Sequence, residues 1–274
     1  MFLVQLVTGF ILVSLISLQL ELAYTHLYFV LTSNWYIWVL RDIHMLGANL
    51  TMILLYAHMI KATTADLLTL PRVSIWLTGA TILLLALGVA FTGYILVSGQ
   101  MSYWALIVIL NLLTVIPILG EHIIGTVLAG SHPTSWSLAR ILSLHFLLGL
   151  AAIALAFIHL NLIHRARPST SSAVTDSSYL LSDVTLKDLM LLAPLVWLLS
   201  TPQLALLIHP DNWMTYDAIA TPAHIEPEVY FLWLFCLLKS RQSKVVGVLF
   251  SIFLVAIVLS CVVIISSSYP YSCW

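Results

Sequence analysis

The chain has 274 residues, of which 61% are hydrophobic and only 8% charged, with a net charge of −1. Soluble domains carry about 25% charged residues, so too little charge is present to clothe a water-facing surface, and lipid must cover most of it. No basic or acidic run is present, which argues against nucleic acid as a partner.

A bilayer core of about 30 Å needs roughly 20 apolar residues per helix. Six runs satisfy that need: about 1–20, 35–60, 74–98, 138–164, 188–208 and 245–267. The first, MFLVQLVTGFILVSLISLQ, has no basic n-region and no small-residue cleavage site, so it reads as a membrane helix and not a signal or transit peptide. Residues 102–130 are apolar but broken by Pro117, Gly120, Gly125 and Gly130, the pattern of a helical hairpin lying at the membrane surface. Residues 166–187 are a polar, Ser/Thr-rich linker. A second long connection, 209–240, carries Pro210, Pro222 and Pro227 and ends in the apolar YFLWLFCLL. Lys and Arg divide five against five between the loops of the two sides, which leaves orientation open. Cys236, Cys261 and Cys273 form no Cys-x-x-Cys pair and read as apolar packing or free thiols.

Four of the ten histidines lie deep in apolar runs: His44 and His58 in the second, His145 and His159 in the fourth. Both pairs are fourteen residues apart, which is four helical turns less about 40°, so each pair shares one helix face with about 21 Å between its members. Two such helices side by side set His44 against His145 at one level and His58 against His159 at another. That is the geometry of two bis-histidine haems stacked across a bilayer, since imidazole suits iron and two filled axial positions make an electron carrier. Another metal, or a proton path, would also use membrane histidines. Gly79 and Gly93 on the third run repeat the spacing of fourteen and would clear room for a flat macrocycle. Arg41 and Arg140 precede His44 and His145 by three and five residues, where a guanidinium could meet a haem propionate.

RDIHMLGANLTMILLYAHMIK and LARILSLHFLLGLAAIALAFIHLNLIH resemble the two haem helices of cytochrome b, the quinol-oxidising subunit of respiratory ubiquinol–cytochrome c oxidoreductase. GYILVSGQMSYWALIVILNLLTVIPILG resembles its third helix and surface hairpin, and TPAHIEPEVYFLWLFCLLKS its Pro-Glu-Trp-Tyr loop; the likeness runs from about Gln5 to Gly247. Equal spacings of fourteen on one chain of six spans are similar to the respiratory branch of the family, not the photosynthetic one.

The resemblance implies an all-α integral membrane fold, with a haem-binding four-helix bundle over 1–165, the linker 166–187, and C-terminal spans over 188–274. It implies two b haems, with His44, His58, His145 and His159 as iron ligands and Arg41, Arg140, Gly47, Gly79, Gly93, Tyr94 and Lys61 around them. Glu228 would take a proton from ubiquinol in a pocket lined by Tyr230 and Tyr94, and electrons would pass to a Rieske iron–sulfur subunit and across the membrane. His164 and Asp188 would serve quinone reduction at the opposite face. The implied partners are the Rieske subunit, a cytochrome c-type subunit, lipid and a second copy of the chain, in a mitochondrial inner membrane or alternatively a bacterial plasma membrane. Other dihaem cytochromes, such as a ferric reductase or a dehydrogenase anchor, would share the histidines but not the TPAHIEPEVY loop; a histidine-based transporter would hold no haem.

The sequence departs from the family at Val229, which stands where the motif has tryptophan, at Ala105, which replaces a glycine expected beside the quinol pocket, and at Lys61, which replaces an arginine. Gly9 matches one packing glycine of the first helix. The last two of the family's usual eight spans have no counterpart in these residues.

Overall fold

The computed structural model describes residues 1–64, 73–165, 190, 209–240 and 242–268, with side chains as far as 257. Nine α-helices occur among them: α1 Phe2–Val13, α2 Leu20–Ser33, α3 Trp35–Thr64, α4 Val73–Leu96, α5 Gln100–Leu113, α6 Leu119–Leu128, α7 Ser135–Arg165, α8 Leu232–Lys239 and α9 Lys244–Ser268. Short 3₁₀ turns at Pro210–Trp213 and Val229–Phe231 punctuate the connection before α8.

α3, α4 and α7 are each long and apolar enough to cross a membrane. Their 30, 24 and 31 residues rise about 45, 36 and 46 Å. Large apolar side chains on α7 point outward, Phe157 being 69% exposed, the inverse of a water-soluble surface and the arrangement lipid requires. The run predicted at 245–267 is the helix α9; the one predicted at 188–208 and the linker 166–187 lie outside the described residues.

The first predicted span is corrected. α1 ends at Val13, where Ser14 donates its hydroxyl to the carbonyl of Ile11 at 2.7 Å. Its 12 residues rise about 18 Å, short of a bilayer core. A helix that hydropathy does not reveal, α2, follows, because Glu21, Thr25 and His26 interrupt its apolar pattern.

Packing is by pairs. α4 lies along α7, and α1 lies against α3. α3 also touches α4, whereas α3 and α7, the two histidine helices, have no extended contact among the described residues. A slot is left between the pairs. The hairpin α5–α6 packs on α4 and α7 through a cluster of Ile95, Leu96, Leu106, Leu110, Leu128 and Ile141. Within it, Gly120 passes so close to the carbonyl of Leu113 that a methyl group there would overlap it, so the tight turn needs glycine at that point.

The 209–220 connection is fastened to the start of α5. Gln100 accepts the amide of Asp217 at 2.6 Å through Oε1 and donates through Nε2 to the carbonyl of Ala220 at 2.8 Å. The buried Asn212 accepts the amide of Ser102 at 3.2 Å.

Candidate functional site

A cavity of about 240 Å³ occupies the slot, and His44 from α3 and His145 from α7 both line it. Fourteen residues along, His159 is half-buried on α7 against α4, and His58 is exposed on α3. Of the two levels expected from the spacing of fourteen, the structure brings His44 and His145 to one cavity. Among the described residues no three His, Cys, Asp or Glu side chains converge to hold a bare ion. A pair of imidazoles facing a slot suits instead an iron whose four equatorial ligands belong to a macrocycle, as in haem.

Each of three of these histidines rests against a glycine of the neighbouring helix. A methyl group at Gly93 would lie 2.8 Å from Cε1 of His145, one at Gly9 3.1 Å from Cε1 of His44, and one at Gly79 3.1 Å from Cε1 of His159. These glycines therefore admit imidazole rings against α1 and α4, and Gly9 and Gly93 also line the cavity. The residue before each glycine is a threonine whose hydroxyl reaches the same ring: Thr8 to His44 Nδ1 at 2.8 Å, Thr78 to His159 Nδ1 at 2.8 Å, and Thr92 to His145 Nδ1 at 3.1 Å. His145 Nδ1 also lies 3.0 Å from the carbonyl of Val89. The sequence signal was present as the dipeptide Thr-Gly at 8–9, 78–79 and 92–93, and reading glycines alone misses it. His58 is exposed on α3 and faces no such pair among the described residues.

Arg41 is buried beside His44, pairs with Asp42 at 3.0 Å and lies 4.9 Å above the ring of Trp213. Arg140 does not share that position. It is exposed, donates to the carbonyl of Thr126 and ties α7 to the hairpin instead of lining the slot. Gly47 faces Gln5 of α1 and is likewise outside the cavity lining. Lys61 sits in the last turn of α3.

The cavity extends to the Pro-Glu-Val-Tyr loop, for Glu228, Tyr230 and Tyr94 line the same space as His44 and His145. Tyr230 is 8% exposed and packs with Met52, Leu83, Ala86 and Leu87. Its carbonyl accepts the hydroxyl of Tyr56 at 3.0 Å, and Trp233 Nε1 donates to that same Tyr56 oxygen at 2.9 Å. Burial raises the carboxyl of Glu228 above the ordinary glutamate range, with the Arg41 guanidinium opposing. Burial likewise holds the Tyr230 phenol well above its usual value, reinforced by Glu228 and then Tyr94 and Tyr56, so the phenol stays protonated. Val229 points outward, 67% exposed, and Ala105 does not border the cavity. His164 is exposed at the far end of α7, and Asp188 lies outside the described residues.

Two family descriptions match the chain, Cytochrome b/b6/petB over residues 1–167 and Cytochrome b(C-terminal)/b6/petD over residues 215–272. Cytochrome b of Leptorhynchoides thecatus is 32% identical over 252 residues, covering 90% of this chain and 67% of the relative. That of Dictyostelium discoideum is 34% identical over 254 residues, covering 90% and 65%, and that of Chondrus crispus 32% identical over 262 residues, covering 93% and 68%. The chain thus spans about two thirds of the length of these relatives. Among solved structures, a chain of a hyperthermophilic respiratory complex III superposes with a TM-score of 0.82 at 25% identity, covering 96% of this chain and 72% of that one. This chain belongs to the cytochrome b family, as an all-helical integral-membrane electron-transfer protein of the respiratory complex III kind.

Proposed function

We propose that this chain is the quinol-oxidising subunit of a quinol–cytochrome c reductase, holding two b haems, one between His44 and His145 and one between His58 and His159. The observation that carries the reading is the convergence of Glu228, Tyr230 and Tyr94 on the same cavity as the His44/His145 pair, which sets a proton acceptor beside an electron acceptor. Bound in the slot, the haems supply one-electron carriage across the membrane.

The protein's own residues manage the proton and the substrate. Glu228, raised by burial, is a carboxylate suited to take a proton from a quinol hydroxyl. Tyr230, kept protonated, donates a hydrogen bond to the quinone oxygen and walls the pocket. Arg41 supplies a cation for a propionate beside His44. At the opposite face, His164 and Asp188 deliver protons as quinone is reduced.

One electron of each quinol goes to a Rieske iron–sulfur subunit and on to a cytochrome c-type subunit, and the other crosses the membrane to quinone at the opposite face, within a complex that contains two copies of the chain and sits in a mitochondrial inner membrane. The reading is tested on the purified complex with ubiquinol and cytochrome c. Electron transfer that falls at least a hundredfold in Glu228→Leu, with haem content unchanged, supports it. Unaltered turnover in that variant contradicts it.

A further inference from the structure

The hydroxyls of Thr8, Thr78 and Thr92 share one bonding pattern. Thr8 Oγ1 lies 2.7 Å from the carbonyl of Val4, Thr78 Oγ1 2.8 Å from that of Ser74, and Thr92 Oγ1 2.8 Å from that of Gly88. A carbonyl can only accept, and a hydroxyl has one proton to give. At these separations each hydroxyl proton goes to the helix carbonyl; otherwise two lone pairs would face each other at contact distance. Toward the imidazole the same oxygen can then only accept, so the hydrogen is on Nδ1 of His44, His159 and His145. The carbonyl of Val89, 3.0 Å from His145 Nδ1, demands the same tautomer. Nε2 is left bare, and it lies farther from each glycine than Nδ1 does, at 3.9, 3.8 and 3.7 Å from the position a Cβ would take.

We propose that the three Thr-Gly pairs are axial-ligand seats: glycine admits the ring, and the threonine oxygen fixes its tautomer and draws on its Nδ1 hydrogen. This rests on the two-haem reading given above and deepens it. A donor nitrogen whose partner N–H is bonded to an acceptor is a more basic ligand, and it favours ferric over ferrous iron. A hydroxyl that is itself donating to a carbonyl is the more polarised acceptor. Threonine is thus a positioning and tuning residue. The strengths differ by seat. For His44, Thr8 is the Nδ1 partner among the described residues, whereas His145 keeps the Val89 carbonyl if Thr92 is lost.

The test is a spectroscopic redox titration of membranes carrying the full complex, with wild type, Thr8→Val, Thr8→Ser and Thr92→Val. Valine keeps the side-chain volume and removes the acceptor; serine keeps it. The proposal expects both haem signals in every variant. It expects the ferric/ferrous equilibrium of one haem to move at least threefold toward ferrous in Thr8→Val, about 28 mV upward at 59 mV per decade, with Thr8→Ser near wild type and a smaller shift in Thr92→Val. If Thr8→Val does not assemble, Thr78→Val is read on the other haem, where the backbone carbonyl of Ile75 also bonds His159 and the expected shift is the smaller one of Thr92→Val. Haems present with unmoved potentials, or an equal shift in Thr8→Ser and Thr8→Val, overturn the seats while leaving the two-haem reading intact. A wild-type complex without haem signals from this chain overturns both.

Discussion

The hydroxyl of Tyr56 donates to the carbonyl of Tyr230 at 3.0 Å, joining residues 174 positions apart. Tyr56 stands two residues before His58 on α3, and Tyr230 two after Glu228, so one phenol fastens the Glu228 loop to α3. Trp233 completes the fastening by donating to the same oxygen at 2.9 Å. Tyr56→Phe would strand the part-buried carbonyl of Tyr230, a loss of about 1–3 kcal/mol. The expected outcome is a quinol KM raised several-fold with both haem spectra intact; unchanged quinol kinetics would show that the loop is held by other contacts.

Glu228 should govern the pH profile of quinol oxidation. The base must be ionised to accept a proton, and burial raises its pKa, so the rate climbs with pH along a limb displaced above the ordinary glutamate range. Glu228→Gln removes the titrating group, and its residual rate should be flat across that limb. A limb that persists in the variant assigns the proton to another group.

Gly93→Ala sets a methyl group 2.8 Å from Cε1 of His145, and the ring must move or α4 must part from α7. Overpacking of this kind costs about 1–3 kcal/mol. The expected result is loss or spectral displacement of one haem with the other retained. Gly125→Ala is the control: nothing lies within 4 Å of its would-be methyl on α6, and alanine favours a helix by about 1 kcal/mol, so spectra and stability should hold or improve.

Gly99→Ala addresses the clamp between α5 and the 209–220 connection. The new methyl would stand 2.7 Å from the carbonyl oxygen of Asn212 and 2.6 Å from its Oδ1. Displacing Asn212 frees the amide of Ser102, and limited proteolysis should then cut the connection faster than in wild type. Equal proteolysis rates would contradict that role.

The long helices and the facing of His44 and His145 were legible because both are periodic signals. A run of apolar residues measures the bilayer, and fourteen residues return a helix to nearly the same face. Hydropathy could not show where α1 stops, since Leu15, Ile16 and Leu18 continue the apolar run after Ser14 has ended the helix. Nor could it show α2, whose polar residues mask a helix lying on α3. Proximity in sequence also misled at Arg140. Five residues before His145 is about 140° around the helix, facing away from the ligand, whereas Arg41, three before His44, is about 60° off and does reach the slot. The threonines went unread because a mid-helix threonine ordinarily bonds only its own backbone; its second partner belongs to another helix.

Two irons, each held by a histidine from α3 and a histidine from α7, are the centre of the proposed function. A pyridine haemochrome assay of the purified complex, set beside reduced-minus-oxidised spectra of His159→Phe, tests it directly. Two b haems per copy of this chain, with one of the two signals lost and the other kept in the variant, is the predicted result. A colourless chain, or both signals unchanged in His159→Phe, would contradict it.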